Sequence, residues 1–289
     1  MTNKQRYVFY PNYHNLVPKI AILSHFFITK HNLFRLLNKG SNFAPETVII
    51  YTVMRRITAL GDSIMRGVVL DKSSNTSKPR YVNLNDNFAS ICATTLGIEI
   101  KNFGRFGNTT LHALKSWDRY SADIKDSDYI VMEFGGNDCD HRWIEIANNP
   151  TADHSPIIDL SKYVELFRTI VIKVKESNSK PLLLSLPPII AEDYFNAFTQ
   201  NMSAEQRENV LLWLNGCLEN ITQWHEMYNL ELFKLATELN IPIIDITSPF
   251  LVKRNYRELF CTDGIHPNKR GHSLIADTIL NYVHKHIAI

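Results

Sequence analysis

From residue 56 to the C-terminus, short apolar segments alternate with longer segments of helical periodicity. The apolar segments are continuous enough to be buried on both faces, as the strands of a parallel sheet are. Parallel strands need crossover helices, and right-handed crossovers place helices on both faces of the sheet. The pattern therefore predicts an α/β fold. The predicted strands cover residues 56–60, 98–104, 128–136, 180–188 and 241–247, and the predicted helices lie near residues 86–96, 109–119, 161–177, 205–239 and 270–286.

Four short glycine-containing segments flank these strands, three of them directly after a strand. Ligands of parallel sheets bind beyond the carboxyl ends of the strands. Glycine at such ends permits unusual backbone conformations or the close approach of a ligand. We therefore expect the functional residues to lie in these four segments. The segments are ALGDSIM around Ser63, NFGRFGNTT around Gly107, EFGGNDCD around Asn137, and TDGIHPN around Asp263 and His266.

Ser63 is the candidate nucleophile, because it follows a strand at the start of a predicted helix and a tight turn can present its hydroxyl. A serine hydroxyl needs a neighbouring base. His266 is the candidate base, and Asp263 lies three residues earlier in the same loop. Such an aspartate can hold the imidazole in the tautomer that leaves its other nitrogen free for the serine. The three residues predict acyl transfer through a covalent intermediate.

An oxyanion that develops during acyl transfer must be met by preorganised donors. The backbone N–H groups of Ser63 and Gly107 and the side-chain amide of Asn137 are the candidates. Each motif alone has a structural explanation, since GDS is a common turn and helix-capping sequence. The functional interpretation depends on four segments of complementary chemistry at the same edge of one sheet.

The same segments resemble blocks of the SGNH/GDSL hydrolase superfamily. GDS at 61–63, N-x-G-x-x-G-x-T at 102–109, GGND at 135–138 and DGIHP at 263–267 match blocks I, II, III and V in order and spacing. The resemblance implies a three-layer, flavodoxin-like sheet of five parallel strands in the order 2-1-3-4-5, with helices on both faces. It also implies the triad and oxyanion-hole roles above, and enzymes without metal or cofactor. The superfamily includes lipases, thioesterases, lysophospholipases and carbohydrate acetylesterases, so the substrate stays open.

Residues in and beside these blocks are the candidate substrate-pocket residues. Asp138 is expected to act through a hydrogen bond, and a plain polar loop is the alternative interpretation of its segment. The stretch NDCDHRW also contains potential metal ligands, but adjacent residues point in different directions and thiolates with carboxylates suit no single metal well. No metal is therefore predicted. The candidate pocket residues are Asp62, Asp138, Asp140 and Trp143, and His141 is expected at the pocket rim.

The predicted helix at 205–239 carries large apolar residues at helical spacing, among them Trp213, Leu214 and Trp224. This spacing favours a core-facing stripe, and a substrate platform is the alternative. The segment of residues 139–204 is longer than a crossover between two parallel strands needs to be. Within it, the sequence EDYFNAFTQNMS is a candidate lid.

Composition and charge bear on partners and location. The 31 basic and 29 acidic residues of the chain give no general attraction to nucleic acid. Residues 1–53 carry a net charge of +5 and the remainder −3, so we divide the chain into an N-terminal extension (1–53) and a hydrolase domain (54–289), with Met54 as a candidate start. Four cysteines without a CxxC motif suit reduced thiols in the cytoplasm.

The apolar run at residues 20–28 is the sequence feature that bears on export and membranes. The alternative interpretation of this run is the hydrophobic region of a signal peptide, but the run contains a histidine and lacks a small-residue cleavage site. It is also too short to span a bilayer. The chain is thus expected in the cytoplasm, without stable membrane association, and its oligomeric state is open.

These observations predict a serine esterase that acts on a small-molecule ester, with a small acyl group such as O-acetyl on a carbohydrate. The chain lacks a long exposed apolar segment that would favour a lipid interface. The alternatives are a lysophospholipase or thioesterase of the same fold and, outside enzymes, a catalytically silent carbohydrate-binding protein.

Overall fold

The strands within the described part of the chain form one large sheet and one small one. The computed structural model describes residues 56–71 and 80–287, which all belong to the unit formed by residues 51–289. The predicted extension at residues 1–53 lies outside the described residues. The strands are β1 (Arg56–Gly61), β2 (Val68–Asp71), β3 (Arg80–Asn83), β4 (Glu99–Asn102), β5 (Tyr129–Glu133), β6 (Lys180–Leu184) and β7 (Ile243–Ile244).

The large sheet has the order β4-β1-β5-β6-β7, and each neighbouring pair is parallel. Counted along the chain, these five strands have the predicted order 2-1-3-4-5, so the fold-class prediction is confirmed. Strands β2 and β3 form a separate antiparallel pair, which the sequence analysis did not predict. All five predicted strands of the large sheet are present. Strand β1 ends one residue later than predicted, whereas the other four end two to four residues earlier, and β7 also begins two residues later.

The helices fill the crossovers. They are α1 (Ser63–Arg66), α2 (Phe88–Leu96), α3 (Thr110–Lys115), α4 (Trp117–Lys125), α5 (Trp143–Asn148), α6 (Leu160–Glu176), α7 (Ala191–Thr199), α8 (Ala204–Trp213), α9 (Glu219–Glu238), α10 (Ser248–Leu251) and α11 (Lys269–His286), with a 3₁₀ helix at Tyr256–Leu259. No helix of the described chain is both long and apolar enough to cross a membrane.

Successive residues of the central strands pack against different helical layers, because alternate side chains of a strand point to opposite faces. Leu60 and Leu183 belong to a core cluster with α3, α4, α6 and α9. Their neighbours Ala59 and Leu182 belong to a second cluster with α2 and α11. The central strands are therefore buried on both faces, which explains why they are apolar without alternation. The edge strand β4 was predicted to be buried on both faces as well, but its sequence EIKN is mostly exposed.

Two predicted helices are divided. The prediction of one helix over 205–239 was wrong, since α8 ends at Trp213 and α9 begins at Glu219. Between them Asn215 and Gly216 have φ values of 54° and 71°, a left-handed conformation that ends helices. The helix predicted near 109–119 is similarly divided at Ser116 into α3 and α4.

The region from 139 to 204 adds a third packing unit beside the sheet. Helices α5 and α7 pack with α8 and the start of α9 around a buried cluster that includes Trp143, Phe195, Leu214 and Ile221. The candidate lid sequence forms most of α7, and its Phe195 is 2% exposed. This unit forms much of one wall of the cavity described below.

Candidate active site

Ser63 lies at a tight turn from the end of β1 into α1. Gly61 ends the strand, and a Cβ atom there would lie 2.4 Å from Cβ of Met65, so the turn has no room for a side chain. The Oδ1 atom of Asp62 accepts a hydrogen bond of 2.8 Å from the Ile64 N–H and so caps the short helix. Ser63 is 7% exposed and lines a cavity at this edge of the sheet.

His266 and Asp263 join Ser63 in one row of hydrogen bonds. Nε2 of His266 lies 2.9 Å from Oγ of Ser63, and Nδ1 of His266 lies 2.7 Å from Oδ2 of Asp263. Both loop residues are buried, and the Oδ1 atom of Asp263 accepts the backbone N–H groups of Ile265 and His266. An imidazole held in this way can take a proton from the serine hydroxyl.

The Asp263 carboxyl is stabilised as a carboxylate. Burial alone raises its pKa, but the hydrogen bond and charge of the His266 side chain, with backbone N–H donors, hold the pKa below its usual value. The carboxylate therefore accepts the Nδ1–H of the imidazole and leaves Nε2 to face Ser63.

The loop that carries these two residues is anchored at both ends. The N–H of Cys261 donates to the His266 carbonyl at 2.8 Å, and Asn268 caps α11 through the N–H groups of Arg270 and Gly271. The carbonyl of Gly264, at φ 74°, accepts the Ile190 N–H. A loop fixed by its own backbone can hold the imidazole in one orientation.

The segment around Gly107 is tied to the two neighbouring blocks. The side-chain amide of Asn108 donates to the Gly61 carbonyl at 3.1 Å, and Thr110 donates to Asp138 from both its N–H and its hydroxyl. Gly107 itself has φ 68° and no atom within 4 Å of where a Cβ would lie. Its exposed backbone is therefore open to a ligand, in a conformation that other residues rarely adopt.

The side-chain amide of Asn137 donates to Oδ2 of Asp62 at 2.8 Å. An asparagine amide carries two N–H donors, so the second stays available for another acceptor. Both Asn137 and Ser63 line the same cavity. This side chain can thus supply a hydrogen bond to an oxygen atom beside Ser63.

Three of the four candidate pocket residues, Asp62, Asp140 and Trp143, line the cavity. Asp140 accepts hydrogen bonds from the indole N–H of Trp143 and the hydroxyl of Tyr194, at 2.8 and 2.7 Å. Asp138 does not line the cavity, so its placement among the pocket residues is corrected. It is fully buried and accepts the hydrogen bonds of Thr110 behind the wall, while burial raises its pKa to about 7.

Four more polar or aromatic residues of the cavity were not among the candidate pocket residues. Glu133 is the first residue of the segment EFGGNDCD and the last residue of β5, an acid inside the apolar run YIVMEFGG. Tyr194 lies on α7 in the candidate lid, and Trp224 lies on α9 in the apolar stripe for which a substrate platform was the alternative. His225, also on α9, had no local signal, because its place depends on how the helices pack.

The expected rim residue His141 also lines the cavity and packs among the rings of Trp143, Trp213 and Trp224, with centroid distances of 5.5, 5.1 and 4.8 Å. Burial and the charge of His154 lower its pKa to about 4, so it is neutral at physiological pH. The tryptophans at 213 and 224 are half-buried, whereas Leu214 is fully buried. The predicted stripe therefore serves both the core and the cavity wall.

An exposed aromatic pair packs against His266. Tyr81 and Phe106 are 39% and 57% exposed, with ring centroids 5.3 Å apart. Their rings lie 5.2 and 5.9 Å from the imidazole of His266. Within residues 56–71 and 80–287, no three His, Cys, Asp or Glu side chains form a group that could hold a metal ion.

A doubly wound sheet that carries serine, histidine and aspartate in one hydrogen-bonded row is an arrangement of serine hydrolases. The chain belongs to the GDSL-like lipase/acylhydrolase family, whose model matches residues 57–279. The resemblance seen in the sequence is thereby confirmed.

Individual relatives are distant. The uncharacterized protein YpmR of Bacillus subtilis (strain 168) is 24% identical over 265 residues, which cover 89% of this chain and 92% of YpmR. LAE5, an α/β hydrolase from the metagenome of Lake Arreo, has a TM-score of 0.55 at 17% identity, covering 80% of this chain and 95% of LAE5. A catalytic mutant of Axe2, an acetylxylan esterase from Geobacillus stearothermophilus, has a TM-score of 0.54 at 17% identity over 79% of this chain and 94% of Axe2.

Proposed function

We propose that Ser63 is the nucleophile of this esterase, with His266 as the base and Asp263 as the residue that orients it. Oγ of Ser63 attacks the ester carbonyl while Nε2 of His266 takes the hydroxyl proton. His266 then returns that proton to the departing alcohol, which leaves an acyl-enzyme. Water, deprotonated by the same imidazole, releases the acid. The observation that carries this proposal is the hydrogen-bonded row from Ser63 to Asp263.

The tetrahedral intermediate requires donors for its negatively charged oxygen. We assign this role to the backbone N–H groups of Ser63 and Gly107 and to the second amide N–H of Asn137. Support comes from the exposed left-handed backbone of Gly107 and from the bond between Asn137 and Asp62, which leaves one amide hydrogen unused. Such fixed donors act mainly in the transition state.

The substrate that best fits the cavity is an ester of a small acyl group. About 80 Å³ of the cavity is open to the centres of water molecules. At the share of about 30 Å³ that each molecule has in liquid water, this space holds about three waters. That volume suits an acetyl group and part of its alcohol, whereas a long acyl chain needs a longer apolar channel.

A carbohydrate alcohol is favoured by the aromatic pair beside His266. Tyr81 and Phe106 expose ring surface next to the base, where the alcohol portion of an ester leaves. The apolar face of a sugar ring packs well on such aromatic surface, and sugar hydroxyls suit the polar groups Asp140 and His225 in the cavity. We therefore propose an O-acetyl group on a carbohydrate as the substrate. Axe2, named above, is an acetylxylan esterase, and at 17% identity it supports the fold alone.

A panel of esters tests the substrate class. With p-nitrophenyl acetate, butyrate and octanoate, kcat/KM should be highest for acetate and fall with chain length. An acetylated xylo-oligosaccharide should be hydrolysed, and lysophosphatidylcholine and palmitoyl-CoA should be poor substrates. A preference for either of the last two would favour the lysophospholipase or thioesterase alternative. Failure of a fluorophosphonate probe to label Ser63 would favour a silent binding protein.

The aromatic pair has its own test. Phe106→Ala should raise KM for the acetylated oligosaccharide at least fivefold and leave kcat/KM for ethyl acetate within twofold. The matched control is Leu251→Ala, which removes a large exposed apolar side chain on α10 and should change neither value. Equal effects of Phe106→Ala on both substrates would remove the argument for a sugar alcohol. The cytoplasmic location and the absence of nucleic-acid partners stay predictions.

A further inference from the structure

Glu133 is a buried acid that the proposed reaction does not use. It ends β5, is 1% exposed and lines the cavity beside Ser63. Neither of its carboxyl oxygens makes a hydrogen bond of normal geometry with a donor among the described residues, although the backbone N–H groups of Asp62 and Met65 lie nearby. A buried carboxylate without donors is costly, so the carboxyl needs a proton or a partner.

Asp62 is an acidic neighbour of Glu133, because it directly follows Gly61, the residue paired with Glu133 across β1 and β5, and it is 2% exposed. Asp62 already accepts two hydrogen bonds of 2.8 Å, from the Ile64 N–H and from the amide of Asn137. Two adjacent buried carboxyls do not both ionise, and the described cavity wall includes no lysine or arginine to offset a second negative charge.

The hydrogen bonds decide which carboxyl keeps the proton. Burial raises the pKa of both groups, and the neighbouring Asp62 charge raises the pKa of Glu133 further. The donors from Ile64 and Asn137 act against burial at Asp62. The charge therefore lies on Asp62 and the proton on Glu133.

We propose that Glu133 is a positioning residue: as a carboxylic acid it donates a hydrogen bond to Asp62, which in turn holds the Asn137 amide with its second N–H toward the reacting oxygen. This inference rests on the proposed oxyanion role of Asn137. Without the proton, Asp62 and Glu133 repel each other and the anchor of the amide shifts. Glu133 itself need not touch the substrate.

Two substitutions separate this role from simple packing. Glu133→Gln retains a donor toward Asp62 and nearly the same shape, so kcat for p-nitrophenyl acetate should stay within about threefold of wild type. Glu133→Leu removes the donor, so kcat should fall about 10- to 100-fold with KM within twofold. The matched control is Glu208→Gln, at an exposed glutamate of α8, which should have no effect.

A double-mutant cycle tests whether the effect passes through Asn137. In an Asn137→Ala background, Glu133→Leu should cost less than threefold in kcat, because the amide it positions is already absent. An undiminished cost in that background, or a loss in Glu133→Gln as large as in Glu133→Leu, would overturn the proposal. Ser63→Ala, measured in the same assay, reports separately on the proposed function, since residual turnover there contradicts the nucleophile and not Glu133.

A spectroscopic measurement keeps the proposal testable if Glu133→Leu does not fold. At neutral pH the infrared spectrum of the wild-type protein should contain the carbonyl band of a protonated carboxylic acid that is absent from Glu133→Gln. Identical spectra in this region would show that Glu133 is ionised, and the proposal would fail.

Discussion

Removing the side-chain amide of Asn137 tests the oxyanion assignment most directly. Because one N–H of this amide is bonded to Asp62, Asn137→Ala removes a single donor to the intermediate. Loss of one such donor costs about 2.7–4 kcal/mol in the transition state. At about 1.36 kcal/mol for each factor of ten, kcat should fall about 100- to 900-fold. KM should change less than threefold, because the donor acts little on the ground-state ester.

The same substitution has a cost in stability that can be measured separately. Asp62 loses one of its two 2.8 Å hydrogen bonds while buried, which costs about 1–3 kcal/mol. The melting temperature should therefore fall by a few degrees, at about 2–4 °C per kcal/mol in a domain of this size. Assays at 20 °C keep the variant folded, so that the fall in kcat reports on catalysis.

Asn209→Ala is the matched control for this measurement. The amide of Asn209 donates to the Ala147 carbonyl at 2.9 Å, and the residue does not line the cavity. Its loss should lower stability by a similar amount and leave kcat unchanged. A tenfold rise in KM with kcat intact in Asn137→Ala would refute the reasoning, since the amide would then bind only ground-state substrate.

Three further predictions follow from the same structure. Ser63→Ala should reduce hydrolysis of p-nitrophenyl acetate to below about 1% of wild type without loss of folded structure by circular dichroism, and turnover above a few per cent contradicts the assignment. A chain of residues 54–289 should keep its esterase activity and melt within about 4 °C of the full chain, and a larger fall would make residues 1–53 part of the folded unit. Burial lowers the pKa of His272 from 6.5 to about 4. Between these two pH values, His272 is therefore protonated in the unfolded chain and neutral in the folded protein. Stability should thus fall by about 2 kcal/mol from this group between pH 8 and pH 5, a loss absent in His272→Gln and measured by urea unfolding at both pH values.

Local signals in the sequence were enough to predict the fold and to select Ser63, Asp263 and His266, which the structure brings into one hydrogen-bonded row. The central strands β1, β5 and β6 lie in apolar runs, and that pattern follows from burial of the sheet on both faces. Because parallel strands bring their carboxyl ends to one edge, the segments around Ser63, Gly107 and Asn137 had to meet. The loop of Asp263 and His266 joins them from 203 positions away in the chain, as the four blocks together predicted.

The sequence contains a local signal for the break in the helix predicted over 205–239, but the prediction gave more weight to the helical periodicity. Asn215 and Gly216 form a helix-ending pair, but the apolar spacing continues on both sides of them.

The prediction that Asp138 lies in the substrate pocket was wrong for a different reason. Sequence position puts it beside Asn137, yet successive side chains diverge, and only the packed structure shows which one faces the cavity.

Tertiary structure alone decided what surrounds the nucleophile. Periodicity tells which face of α7 or α9 is apolar, but it does not tell which helix that face meets. The sequence therefore offered the lid with Tyr194 and the platform with Trp224 only as candidates, and the packed structure places both residues at the cavity. The role of Glu133 depends on the adjacent strands β1 and β5, which bring its carboxyl against that of Asp62. The protonation of this acid in an apolar strand depends on a residue 71 positions away in the chain, because a buried carboxyl has no water to solvate its charge.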